Sequence, residues 1–183
     1  MKIRNTTTDY GAIARLLHWV IVALVIVQFV LAAIAADLPN GLDKLVILAR
    51  HKSFGITILA LACLRIVWRA VNPTPALPVG TPPWQRLAAR ISHMGLYAFL
   101  LLQPLTGWVM SSAKNYPVSW FGLVTLPDPV APSEWLFDLM HETHEISARL
   151  LLVLATVHAA AALKHHFIDH DDVLRRMLPL PRR

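Results

Sequence analysis

The sequence predicts an all-α membrane protein, a four-transmembrane-helix bundle. Three observations carry that reading. Hydrophobic residues make up 56% of the 183-residue chain and charged residues only 15%, well below the roughly 25% charged residues of soluble domains. Mean hydropathy is positive, at +0.52. Four apolar stretches are separated by turn-forming, proline-rich or polar segments. The length suits a single domain spanning 1–183, with helices expected over about 15–36, 46–71, 87–112 and 140–166. A formal net charge of +6 would suggest nucleic acid in a soluble protein. Here loop asymmetry accounts for it, so membrane lipid is the expected surroundings and no nucleic-acid partner is expected.

Residues 1–14 form a polar tail with Lys2 and Arg4. Trp19 to Ala36 then runs without a charge, long enough to span. Its AAIAAD end resembles a leader-peptide cleavage site, but the run exceeds a signal core and is entered through Arg15 and His18, so a retained helix is expected. Pro39, Asn40 and Gly41 mark a turn. The second helix has a charge-free part of only Ser53 to Leu64, because Arg50, His51 and Lys52 open it and Arg65 and Arg69 close it. Ionisable residues placed like that point to function. Cys63, the single cysteine, excludes an internal disulfide and a cysteine metal cluster, and reads as a buried packing thiol. A proline-rich connector, Asn72 to Pro83, leads to a third helix that Pro104 is expected to kink. The loop from Ala113 to Ser133 carries Trp120 and Phe121 and is expected along the membrane interface. Trp19, Trp68, Trp108, Trp120 and Trp135 suit interfacial belts.

The last helix, HETHEISARLLLVLATVHAAAALKHHF, organises the rest. His144 and His158 are fourteen residues apart, which returns them to one face about 40° out of line and separates them by roughly 21 Å along the axis. Ala148, Leu151 and Ala155 lie between them on that face, which is apolar and mostly small. Four helices put both termini on one side, with Lys2, Arg4, Arg15, Arg65, Arg69, Arg86, Arg90, Lys164, Arg175, Arg176, Arg182 and Arg183. The other side has Lys44, Arg50, Lys52 and Lys114. The positive-inside rule then makes both termini cytoplasmic. Orientation fixes depth: His51 pairs with His144 near the outer surface and His18 with His158 near the inner one.

On the second helix, Gly55, Ile58 and Ala62 continue the face of His51 and lead to Arg65 at the depth of the inner pair. Small residues admit a macrocycle, and a guanidinium can take a carboxylate bidentately. A planar ligand with propionates held by two axial histidines is haem b, and two such groups are expected. No CxxCH is present, so attachment is non-covalent. Two axial histidines favour electron transfer over oxygen binding. Zinc, the rival, wants four converging ligands. Arg65 also has a plain reading as a side chain reaching to the inner surface.

LLHW early in the chain, HKSFG and LRIVWR at the two ends of the second helix, and HE-x(12)-HAAAALKHHF in the fourth together resemble the prokaryotic cytochrome b561 family over the whole chain. The resemblance implies a four-helix bundle with two b haems, the four histidines standing where ligands are expected. It implies electron exchange between a quinone (ubiquinone or menaquinone) and a second partner, which in some members is superoxide outside the membrane. Outer-sphere transfer from a surface donor through the outer and then the inner haem to quinone is the expected route. The resemblance also points to the neighbourhood of Lys164 and His165 for quinone, whose reduction needs protons; a basic surface cluster is the plainer reading. Arg50 and Lys52, with Lys44 and Lys114, would steer a small anionic donor toward the outer site, or meet propionates or lipid phosphates. His141 reads as interfacial and as the substitute ligand for His144; His93 reads as packing or an inner-haem contact; His166 and His170 read as surface residues. A haem-bearing anchor for a larger redox enzyme, or a haem-free transporter, are the rival functions. No residue suits a nucleophile's role.

Overall fold

The computed structural model describes residues 2–78 and 80–178. Its elements are α1 (Ala12–Asp37), α2 (Leu42–Ala70), α3 (Pro83–Ala113), a small hairpin of β1 (Ser119–Trp120) and β2 (Val124–Thr125), and α4 (Glu134–Phe167). All four helices are long and apolar enough to cross a membrane. At 26, 29, 31 and 34 residues they measure roughly 39–51 Å, more than a bilayer core of about 30 Å, so their ends extend past the apolar layer.

Local chemistry sets the ends. Pro83 starts α3, where its missing N–H costs nothing. Ser133 caps α4 by accepting from the Leu136 N–H at 3.3 Å. That cap starts α4 about two turns before the expected residue 140. The apolar pattern fades there, but the capping chemistry does not. The other helices also begin three or four residues earlier than expected, and α3 runs through Pro104 as one helix.

The loop before α4 holds the antiparallel hairpin, with Ser119 opposite Thr125 and Trp120 opposite Val124. It is latched to α2: the Ser53 hydroxyl donates to the Ser119 carbonyl at 3.1 Å and accepts from the Phe121 N–H at 3.0 Å. Trp120 Nε1 donates to Thr57 Oγ1 at 3.0 Å, and the Phe54 and Phe121 rings meet edge-on. Phe121 and Gly122 turn with positive φ. Cys63 corrects another expectation. It is exposed on the outside of α2, whereas Ala62 beside it is fully buried.

Helices α1 and α2, α2 and α3, and α3 and α4 pack as sequential neighbours. Among the described residues, no Cα of α4 comes within 8 Å of one in α1 or α2, the spacing of directly packed helices being 8–10 Å between axes. The fourth helix is therefore held by α3 alone, and a slot separates it from α1 and α2. Both termini lie at one end: Arg15 Nη1 and Trp19 Nε1 donate to the carbonyls of Leu178 and Met177 at 3.0 and 2.8 Å. The expected basic residues Arg182 and Arg183 lie outside the described residues.

Candidate cofactor sites

Among the described residues, the only ring contacts across the slot are between histidines. His51 of α2 and His144 of α4 have ring centroids 6.2 Å apart, with planes at 73°. His18 of α1 and His158 of α4 stand 6.4 Å apart at 74°. The first pair lies at the hairpin end and the second at the end with the termini. The inward face of α4 between them is the one its spacing marked, with Leu151 buried at its centre.

Neighbouring helices grip the hairpin-end pair. Gln28 of α1 donates to the His51 carbonyl at 3.0 Å, and Gln103 of α3 to the His144 carbonyl at 3.1 Å. Gln103 also donates to Ser147 Oγ at 2.6 Å. Thr106 Oγ1 sits 3.0 Å from His144 Nδ1. Two glycines permit this closeness. A Cβ on Gly107 would stand 3.2 Å from His144 Cε1, and one on Gly55 would stand 3.1 Å from Gln28 Nε2.

The pair near the termini has different surroundings. His93 of α3 packs edge-on against His158 at 5.4 Å, and Trp19 against His18 at 5.2 Å. Arg65 does not simply reach for the surface. Its Nε donates to Tyr97 Oη at 3.1 Å and its Nη1 to the Ala14 carbonyl at 3.3 Å, so it turns into the bundle and ties α1 to α3. Arg69 also lies over the Tyr97 ring, 5.7 Å from its centroid. Two of the five guanidinium N–H groups of Arg65 are used, leaving donors for an anionic group. Nearby, burial pushes the Tyr10 phenol above its ordinary value, with Arg69 and Arg65 opposing.

The donor set fits a metal held between two trans imidazoles. Bonds of roughly 2 Å on each side plus half a ring at each end put the centroids on the order of 6 Å apart. A tetrahedral angle would draw them closer, to about 5 Å. Among the described residues, the only three-residue cluster of metal-ligating side chains lies elsewhere, at His165, Asp169 and Asp171, so neither histidine pair has the further ligands zinc wants. The buried Nδ1 of His51 has no partner.

Comparison with known proteins decides the family. The family model described as prokaryotic cytochrome b561 matches residues 9–180. The chain belongs to the prokaryotic cytochrome b561 family. Cytochrome b561 homolog 2 of Escherichia coli K12 is 35% identical over 97% of this chain and 95% of its own length. Cytochrome b561 homolog 1 of the same organism is 29% identical over 89% and 93%. A probable superoxide oxidase of Yersinia pestis is 27% identical over 91% and 93%. This chain is thus a membrane electron-transfer protein of a family that carries b-type haem.

In this cytochrome the remaining expected residues are placed as follows. His165 Nδ1 pairs with Asp171 Oδ2 at 2.6 Å and lies 3.3 Å from Asp169 Oδ2. Lys164 is engaged by both oxygens of Asp169, at 2.8 and 2.6 Å, and that hydrogen bond holds the Asp169 carboxyl below its ordinary range. His141 packs on Phe137 and lies 3.7 Å from Glu145, half-exposed. At the other end Lys52 Nζ donates to Ser111 Oγ and the Pro117 carbonyl, and Lys44 Nζ to the Leu38 carbonyl. Lys114 is paired with Glu134. The gripping residues Gln28, Gln103 and Thr106 escaped the sequence reading. Gln28 alone left a signal, as the single polar side chain of a long apolar run; Gln103 and Thr106 share one run beside Pro104 and left none that singles them out.

Proposed function

We propose that this cytochrome binds two b haems, one between His51 and His144 and one between His18 and His158. It relays single electrons across the bacterial inner membrane between quinone at the cytoplasmic end, where both termini lie, and a donor at the outer end. The observation that carries this reading is that each pair joins helices whose backbones otherwise stand apart. Haem bound there supplies reversible one-electron chemistry at two depths, about 21 Å apart along α4. Two histidines would hold each haem, an arrangement that favours electron transfer over oxygen binding. Arg65 has free N–H donors for a propionate.

Reduction of a quinone to quinol takes two electrons and two protons. His165 is the group suited to hand over a proton, because Asp171 engages its Nδ1 and so orients the ring. Lys164 supports the site through Asp169. At the outer end the proposed donor is a small anion, superoxide, which gives up one electron and departs as dioxygen. Among the described residues no carboxylate lies within ion-pair distance of Arg50, Lys44 or Lys52, so these cations keep an attractive field; Lys114 is already balanced by Glu134. The probable superoxide oxidase among the relatives agrees with this choice.

A reduced-minus-oxidised spectrum of the purified protein, with haem quantified per chain, tests the reading. Two b haems are expected, falling to about one in His51→Ala and in His18→Ala. A single haem in the parent removes one pair, and none removes the proposal.

A further inference from the structure

We infer that Thr106 is a positioning residue for the outer haem site. Its hydroxyl holds His144 in the tautomer that leaves Nε2 bare, and it lowers the reduction potential of that site. The inference rests on the reading of His144 as a haem ligand.

The argument is one of proton accounting. A threonine hydroxyl carries one proton and two lone pairs. Thr106 directs that proton at the carbonyls of its own helix, Leu102 at 2.8 Å and Gln103 at 3.0 Å. With its proton on a carbonyl, the oxygen offers a lone pair to His144 Nδ1, 3.0 Å away. The proton of a neutral imidazole then sits on Nδ1, and Nε2 presents its lone pair. Thr106 is 4% exposed, so water does not compete for the contact. The ring cannot swing away toward α3, since it already lies against the bare Cα of Gly107. Gln103 meanwhile pins the His144 carbonyl, so α3 fixes both the backbone and the ring of this one residue.

The opposite side of the site has no such brace. The His51 Nδ1 is buried without a partner, and among the described residues no hydrogen bond reaches a ring nitrogen of His18 or His158. Drawing the Nδ1 proton toward an acceptor makes an imidazole a stronger donor to a metal and favours the oxidised ion. The effect belongs to the outer site alone, through one ligand.

The test is a spectroelectrochemical titration of the purified, haem-loaded protein in detergent. It compares the parent, Thr106→Val and Thr106→Ser, and uses His144→Ala to assign which midpoint is the outer one. Thr106→Val is expected to keep two haems and to raise the outer midpoint by up to a tenfold change in the one-electron reduction constant, about 59 mV. The inner midpoint stays in place, and Thr106→Ser follows the parent. Loss of the outer haem in Thr106→Val with retention in Thr106→Ser would support the same role. Two haems with an unmoved outer midpoint in Thr106→Val would overturn the inference and leave the ligation reading intact. So would Thr106→Ser behaving like Thr106→Val, since packing alone would then explain the shift. A parent lacking the haem that His144→Ala should remove would overturn the ligation reading, and this one with it.

Discussion

The two histidine pairs share a separation, 6.2 and 6.4 Å, and an interplanar angle near 73°, yet they are built by different means. Hydrogen bonds frame the His51–His144 pair: Gln28 and Gln103 on the backbone carbonyls, Thr106 on one ring. Aromatic and cationic neighbours surround the His18–His158 pair: Trp19, His93, Arg65 and Tyr97. Pair geometry is thus separable from pair environment. Geometry follows from helix spacing and sets which cofactor fits. Environment follows from single polar side chains and sets how that cofactor behaves.

The largest effect that would sharpen this comparison is at Arg65. Its charge lies on the side of the His18–His158 pair and would penalise an oxidised, more positive iron in the haem proposed there. Removing it in Arg65→Leu should stabilise the oxidised state of the inner haem by on the order of 2 kcal/mol at an effective dielectric near 20. The inner midpoint should therefore fall while the outer one holds, which a redox titration reads directly. Arg65→Lys should recover most of the potential but not the contacts to Tyr97 and Ala14, so its thermal stability should stay reduced. If both midpoints moved together in Arg65→Leu, the two environments would not be independent.

A smaller effect is expected at Gly107. In Gly107→Ala the new Cβ would stand 3.2 Å from His144 Cε1, and the ring would have to give by a few tenths of an ångström. Ring orientation tolerates little of that before ligation weakens. Outer-haem affinity should drop by roughly tenfold, seen as loss of outer-haem absorbance on dilution or haem challenge, with the inner haem retained. Equal loss of both haems would mean the substitution acts on α3 packing as a whole.

The same division explains what could be read from the chain. The helix count and the meeting of His51 with His144 and of His18 with His158 at opposite ends of the bundle were legible because hydropathy and helical periodicity operate over many residues. His51 and Arg65, fourteen residues apart on α2, likewise carry a spacing signal. The hairpin was not legible: strands of two residues each carry no periodicity, and they exist because Ser53 and Thr57 of α2 receive them. The early start of α4 hung on one cap at Ser133. Thr106 and Gln103 were hidden for a related reason. A threonine in an apolar helix commonly bonds its own i−4 carbonyl, as Thr57, Thr143 and Thr156 do here. Only the packing of α3 on α4 turns one of them toward a histidine. Exposure of Cys63 was equally a matter of which side of α2 meets lipid.

The smallest effect concerns the ion pairs outside the membrane, one at each end. The hydrogen bond to Glu134 raises the Lys114 ammonium above its ordinary value of 10.5. A raised lysine contributes fully below the unfolded value and loses its contribution only as pH climbs through the folded one. Asp169 runs the opposite way. Held below its ordinary 3.8 by the Lys164 hydrogen bond, it contributes above that value and loses its contribution as pH falls through the folded one. Both windows lie far from neutrality, so neither pair gives either end of the molecule a pH response in the physiological range. Both pairs are also open to solvent, where ion pairs are screened and worth little. Melting curves of Lys114→Gln and the parent, collected from pH 5 to pH 9, should run parallel with a small offset that shrinks with added salt. Curves that converge within that range would tie Lys114 to a group titrating near neutrality, and the difference between the two ends would then no longer reside in the surroundings of the histidines alone.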